Sequence, residues 1–219
     1  MEGIVSWFEF VVDNLGAIWT STLEHIVLVF VPVVAAIVVS VGIGILFRHN
    51  PLVQNINLSI AAVLLTIPSL ALFTITIPIF GLGFWPPVLA LFLYSILPIL
   101  RNTATGLAGV DSAVLESAKG VGMGPRTRLW KVELPLAWPV ILAGIRVSVL
   151  LSMGIAAIAT LVAAGGLGDF IKDGLARFPL PTSVERIWTG TVFIIILALI
   201  SDQLLGFAGR LTTSKGIQK

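Results

Sequence analysis

The sequence predicts an all-α membrane protein with about five transmembrane helices, an N-terminal interfacial helix and one polar loop that carries a short helix of its own. Three observations predict it. Of the 219 residues, 57% are hydrophobic and 11% charged, with a mean hydropathy of +1.06, which leaves too little polar surface to clothe a water-soluble globule of this size. Apolar stretches recur that approach the ~20 residues needed to cross a hydrocarbon core. Charge, glycine and proline are instead concentrated in one stretch, ESAKGVGMGPRTRLWKVELP, from Glu116 to Pro135.

Residues 1–25 are read as the interfacial helix. Ile4, Phe8, Val11, Leu15 and Ile18 fall on one helical face, with Glu9, Asp13 and Asn14 off it. That polar side is acidic, and an anionic cytoplasmic leaflet would repel it, which places the segment outside. No basic region precedes the first apolar run, so a cleaved signal peptide is not expected. Residues 26–209 form the membrane domain, with spans at Ile26 to Phe47, Leu58 to Phe80, Pro86 to Leu100, Ala137 to Ala164 and Thr189 to Ala208. The third is the shortest. Pro68, Pro78 and Pro98 imply kinks, which bilayer helices tolerate when neighbours satisfy the freed backbone groups.

An odd number of spans puts the termini on opposite faces. With the amino terminus outside, the inner segments hold Arg48, Arg101, Lys119, Arg126, Arg128, Lys131, Arg210, Lys215 and Lys219, against Lys172, Arg177 and Arg186 outside. The polar stretch then lies in the largest cytoplasmic loop, 101–136, and 210–219 is a cytoplasmic tail. Within the loop, Asp111 or Ser112 can cap a helix running to Lys119, which Gly120, Gly122, Gly124 and Pro125 break. A second short helix follows from Arg126 to Val132, and Pro135 marks re-entry into the membrane.

These residues carry a resemblance. Glu116-Ser117-Ala118, Gly122 six positions after the Glu and Leu134-Pro135 are similar to the E-A-A, Gly, L-P signature of binding-protein-dependent ATP-binding-cassette importer permeases. The departures are Ser117 in place of Ala, and Gly124 where a small polar residue is commoner. Leu93 to Thr103 and Ala163 to Gly168 resemble the subfamily that imports glycine betaine, carnitine, choline and related osmoprotectants. The resemblance implies that the loop is a coupling helix seated in a cleft of a cytoplasmic ATPase, built from Glu116, Ser117, Ala118, Lys119, Gly122, Met123, Gly124, Pro125 and Arg126. It also implies a second permease subunit, identical or homologous, an extracytoplasmic substrate-binding protein, and ATP and Mg bound by the partner ATPase rather than here. The chain itself has no G-x-x-x-x-G-K-[ST] phosphate loop, is not an enzyme and needs no cofactor.

Other features have two readings each. Gly144, Ser148, Ser152, Ala156, Thr160 and Ala164 recur every four residues along the fourth span, either as a close helix-packing row or, through Ser148, Ser152 and Thr160, as a polar pathway lining. Gly165, Gly166 and Gly168 end that span as a plain cap or as part of a gate. Tyr94 is the sole tyrosine, either a packed ring with its hydroxyl satisfied or a cation–π contact for a quaternary ammonium. Trp19, Trp85 and Trp188 read as outer interface anchors. Arg146 and Asp202 are charges left inside the membrane, each roughly 10–14 Å from the inner boundary at ~1.5 Å per residue, a shared depth at which they either pair, within the subunit or across a permease dimer, or at which Arg146 snorkels to the inner headgroups.

Further classes are excluded. With no cysteine, the chain has neither disulfides nor thiolate chemistry; His25 and His49 flank the first span on opposite sides and cannot share a metal. A net charge of +2 gives no case for nucleic acid. An amino-acid or methionine importer, or a self-sufficient secondary transporter, remain the competing functions.

Overall fold

The computed structural model describes residues 2–212, and every regular element among them is helical. In order these are α1 (Glu2–Asp13), α2 (Leu15–Leu46), α3 (Pro51–Thr66), α4 (Ser69–Phe80), α5 (Trp85–Ala108), α6 (Ser112–Gly120), α7 (Pro125–Arg128), α8 (Leu134–Ala156), α9 (Gly168–Arg177) and α10 (Ser183–Thr212). A π-helical turn, Leu129–Glu133, joins α7 to α8, and a 3₁₀ turn, Ala159–Val162, follows α8. Among the described residues four helices are long and apolar enough to cross a membrane: α2, α5, the continuous rod Pro125–Ala156, and α10; α3 with α4 makes a fifth if the bent pair is one span. The chain is a multi-pass membrane protein.

The core lies where α5 is enclosed by α2 and α8. Leu28, Val29, Val33 and Ala36 of α2, Leu91, Tyr94 and Ile99 of α5, and Ile141, Ile145, Val149 and Met153 of α8 are all buried there. Helix approach is close because the chain supplies small residues at the crossings. A Cβ at Gly144 would lie 2.6 Å from the Pro98 carbonyl oxygen, and one at Gly106 would lie 3.0 Å from that of Ala137. The outward faces of α2 and α10 remain apolar and exposed, as a lipid-facing or subunit-facing surface requires.

The boundaries differ from expectation in several places. The first long helix starts at Leu15, not Ile26: α1 stops at Asn14, whose amide donates to the Phe10 carbonyl (2.8 Å), and nothing in the next turns breaks the helix again. On α1 the apolar Ile4 and Phe8 are exposed, and Phe10 is the buried side chain, packed with Ile18 and Phe170. The expected second span is two helices bent by 94°. Proline disfavours the α conformation of the residue before it, and Ile67 and Pro68 are both extended (ψ 129° and 133°), so the kink expected at Pro68 becomes a break.

α5 does not stop at Leu100. It continues through Arg101-Asn102-Thr103 to Ala108, because Asn102 and Thr103 return their polar groups to the carbonyls of Pro98 and Ile99 (both 2.8 Å) and the small face at Gly106 packs on α8. The loop is correspondingly shorter than 101–136. The short helix expected at Arg126 to Val132 is no separate element: the π turn absorbs the proline at Pro135 and carries the helix from Pro125 into α8 unbroken. That helix then ends at Ala156, short of the expected Ala164. At the C-terminus α10 includes Arg210, while Lys215 and Lys219 of the expected tail lie outside the described residues.

Candidate functional site

The projecting loop is built from two helix ends. Asp111 Oδ1 accepts from the Ala113 amide (2.8 Å), which fixes the start of α6. Its end is a Schellman closure: Gly122 N donates to Lys119 O (2.9 Å) and Met123 N to Ala118 O (3.0 Å), with Gly122 at φ +83°. No atom lies within 4 Å of where a Gly122 Cβ would be, so the glycine is required by the left-handed backbone and not by a close approach. Ser117 donates to Ala113 O (2.8 Å), so its extra hydroxyl is satisfied within the helix. Gly124 is the N-cap of α7 with no side chain to offer its free amides, the bond a small polar residue there would supply.

Ala118 is buried and Met123 half-buried, which seats the loop on the body; Glu116, Ser117, Lys119, Gly122, Gly124, Pro125 and Arg126 are exposed. Val114 and Val121 are exposed beside them. The result is a rigid, capped knob whose outer surface mixes small, apolar and charged groups.

Its base holds a group that sequence reasoning missed. Glu133, in the π turn, is buried; Oε1 accepts from Arg128 Nε (3.0 Å) and Oε2 lies 3.3 Å from Arg48 Nε, in the turn after α2. The available signal was a lone acid among the basic residues immediately before Leu134-Pro135.

Along α8 the small residues divide as the end of the helix dictates. Ser148 Oγ donates to Ser95 O (3.1 Å), and Ser152 Oγ and Ser95 Oγ are 3.3 Å apart, all buried. These two hydroxyls serve the α5–α8 contact. Thr160 and Ala164 lie beyond α8, and the Thr160 hydroxyl bonds the Asp169 carboxylate. Tyr94 is buried and its hydroxyl donates to Ile67 O (2.6 Å), the carbonyl exposed by the α3–α4 break. Its polar end is therefore a structural clasp.

The glycine loop after α8 is tied to α2. Gly165 and Gly166 take φ +79° and +88°, and Gly166 N donates to Glu24 Oε2 (2.9 Å). His25 does not flank the first span: it is buried inside α2, with Nε2 3.2 Å from Met153 O and Nδ1 against Gly166. A Cβ at Gly168 would fall on the Ala157 carbonyl. Glu24, His25 and Asp169 carried no sequence signal, since their partners are far along the chain. Among the described residues, no three His, Cys, Asp or Glu side chains gather where a metal could be held.

Arg146 of α8 and Asp202 of α10 meet in a two-bonded contact, Nε to Oδ1 at 2.8 Å and Nη2 to Oδ2 at 2.7 Å. Both groups belong to this one chain, and the contact ties the last two long helices together.

Comparison with known proteins bears on all of this. The choline transport system permease protein OpuBB of Bacillus subtilis is 40% identical over 96% of this chain and 95% of its own length. The osmoprotectant import permease protein OsmW of Salmonella typhimurium is 40% identical over 95% and 98%, and the carnitine transport permease protein OpuCB of Listeria monocytogenes 37% over 100% and 97%. Among solved structures, the inward-facing MetNI methionine ABC transporter superposes with a TM-score of 0.71 over 94% of this chain and 99% of its own, at 21% identity, a likeness of fold alone. The family model for the binding-protein-dependent transport system inner membrane component matches residues 33–212, and the chain belongs to that family.

Proposed function

We propose that this chain is the permease subunit of an ATP-binding-cassette importer that carries osmoprotectants such as glycine betaine, carnitine or choline across the cytoplasmic membrane. Its partners are a cytoplasmic ATPase that binds ATP and Mg, a second permease subunit and an extracytoplasmic binding protein. The substrate class rests on the relatives, whose names specify choline, carnitine and osmoprotectants at 37–40% identity over nearly whole chains. Likeness to the methionine transporter, at 21% identity, supports no substrate.

The observation that carries the coupling role is the capped knob, with α6 closed at both ends and its charged and small residues facing outward. A helix that transmits force from an ATPase must be stiff, approachable and fixed in register, and those three needs are met by the caps, by Ser117, Gly122 and Gly124, and by Glu116, Lys119 and Arg126. The orientation that suits this role has the amino terminus outside and α6 in the cytoplasm, in line with the excess of Lys and Arg on the loop side. On the opposite side, the Gly165-Gly166 loop with Thr160 and Gly168, latched by Glu24, is the gate candidate. Ser148, Ser152 and Tyr94 contribute by holding the helices that flank the route.

The test is Gly122→Val in the assembled complex. A β-branched residue at φ +83° is strained in the αL region, so the helix stop is lost while the spans are untouched. Membrane insertion is retained and substrate-stimulated ATP hydrolysis disappears; normal stimulation would remove the coupling assignment.

A further inference from the structure

Glu133 is not explained by the closed knob or by the helix packing. Its side chain is 6% exposed, flanked by Arg128 at 13% and Arg48 at 17%, so three charges share a mostly desolvated pocket at the foot of the loop. A carboxylate in such a place is held only while its partners stay with it. The two oxygens are divided between two different parts of the chain. Oε1 serves Arg128, the last residue of α7, and Oε2 faces Arg48, whose Nη1 also donates to Ile45 O (2.8 Å) at the C-terminal end of α2. Arg48 thus neutralises the negative end of α2 through Nη1, while its buried Nε, which makes no hydrogen bond, faces the Glu133 carboxylate as an ion pair at 3.3 Å.

The π turn makes further attachments within one turn of chain. Leu129 is buried in the main core, and the exposed Trp130 lines one side of an open groove beside Ile37 to Leu46 of α2. A π turn inside an α-helix is rare, is found frequently at functional sites and is a recognised place for a helix to kink. Here it lies between the exposed knob and the long membrane helix, and it meets the turn that follows α2 through Glu133 and Arg48.

We infer that Arg48, Glu133 and Arg128 form the joint that passes movement of α6–α7 to α2 as well as to α8, with Glu133 as the positioning residue. The two helices are compelled to move together, since sliding α7 past the end of α2 would strand a buried carboxylate and a guanidinium. This rests on the coupling role proposed above.

The experiment uses the complete complex of permease, ATPase and binding protein in proteoliposomes, with Glu133→Gln, Arg48→Gln, the double variant and Glu133→Asp. Glu133→Gln leaves two mostly buried guanidinium groups without their carboxylate and is expected to lower the yield of complex, but in the complex that assembles basal ATP hydrolysis stays within about twofold of wild type while substrate stimulation falls at least fivefold. Arg48→Gln does the same, the double variant is no worse than either single one, and Glu133→Asp, which keeps the charge, restores at least half. If the Gln variants lower yield or thermal stability but each assembled complex is stimulated normally, the joint is only structural and the inference is overturned. Should Glu133→Gln fail to assemble, Arg48→Gln decides alone, since Glu133 keeps Arg128. Gly122→Val separates the two levels: normal stimulation in that variant sinks the coupling role itself, whereas its loss beside unaffected Glu133 and Arg48 variants sinks only the joint.

Discussion

Neutralising Arg146 or Asp202 should destabilise the folded subunit, and neutralising both should cost little more than either alone. Two charge-assisted hydrogen bonds, at 2.8 and 2.7 Å, hold α8 to α10. An unpaired charge in the centre of a bilayer costs ~2.5–3.5 kcal/mol on insertion scales. The pair is off-centre, and the side chains are 41% and 22% exposed within the single chain, so a discounted cost of about 2 kcal/mol for each single variant is the appropriate scale. Arg146→Gln leaves a carboxylate stranded on α10, and Asp202→Asn strands a guanidinium on α8. The double variant strands neither, so its loss should also be about 2 rather than about 4 kcal/mol, a coupling of about 2 kcal/mol. At roughly 2–4 °C per kcal/mol for a chain of this size, each single variant should melt about 4–8 °C lower in detergent and the double variant no lower than that. Yield of folded complex, followed by fluorescence-detected gel filtration after a heat step, measures this directly. Losses that add to within ~0.5 kcal/mol would refute the pairing and leave Arg146 as a residue that reaches for the headgroups on its own.

Two further outcomes follow from the geometry. Tyr94→Phe deletes the hydrogen bond to the half-buried Ile67 carbonyl at the α3–α4 break, a loss of about 0.5–1.5 kcal/mol, so thermal stability should fall while the KM for a quaternary ammonium substrate stays constant; a raised KM at unchanged stability would instead assign the ring to substrate. In a chain with no native cysteine, single cysteines at Asp13 and Lys172 should react with an impermeant thiol reagent in sealed cells and one at Lys119 should not. Labelling of Lys119→Cys without Asp13→Cys would reverse the orientation, whereas labelling of both would require α3 and α4 to be recounted as no span.

What the sequence disclosed was whatever depends on neighbours close along the chain. Asp111 as a cap and Gly122 as a helix stop are local decisions, made by a side chain two residues from its partner and by a backbone angle that favours glycine, and both were legible. The long apolar runs were equally plain, and Arg146 and Asp202 were matched by counting residues from the same boundary. The misses are places where distant partners override local signals. Arg101-Asn102-Thr103 reads as a polar exit from the membrane, yet α5 passes straight through it because its hydroxyl and amide fold back on the helix and α8 covers Gly106. The row from Gly144 to Ala164 has constant spacing, but spacing does not report that the helix ends at Ala156. Glu133 was hidden for the same reason: its second partner, Arg48, lies on another part of the chain, and only the fold brings them to 3.3 Å.

Under the proposed function this chain conducts a quaternary ammonium osmolyte only when driven by ATP hydrolysis in a partner through the Ser112–Gly120 helix. The most direct measurement is uptake of labelled glycine betaine, carnitine and choline, with methionine alongside, into proteoliposomes holding the permease with its binding protein, with and without the cognate ATPase. The account predicts uptake of at least one of the three quaternary ammonium compounds, none of methionine, complete dependence on the ATPase and ATP, and its abolition by Gly122→Val. Uptake by the permease alone under an ion gradient, undiminished by Gly122→Val, would contradict it.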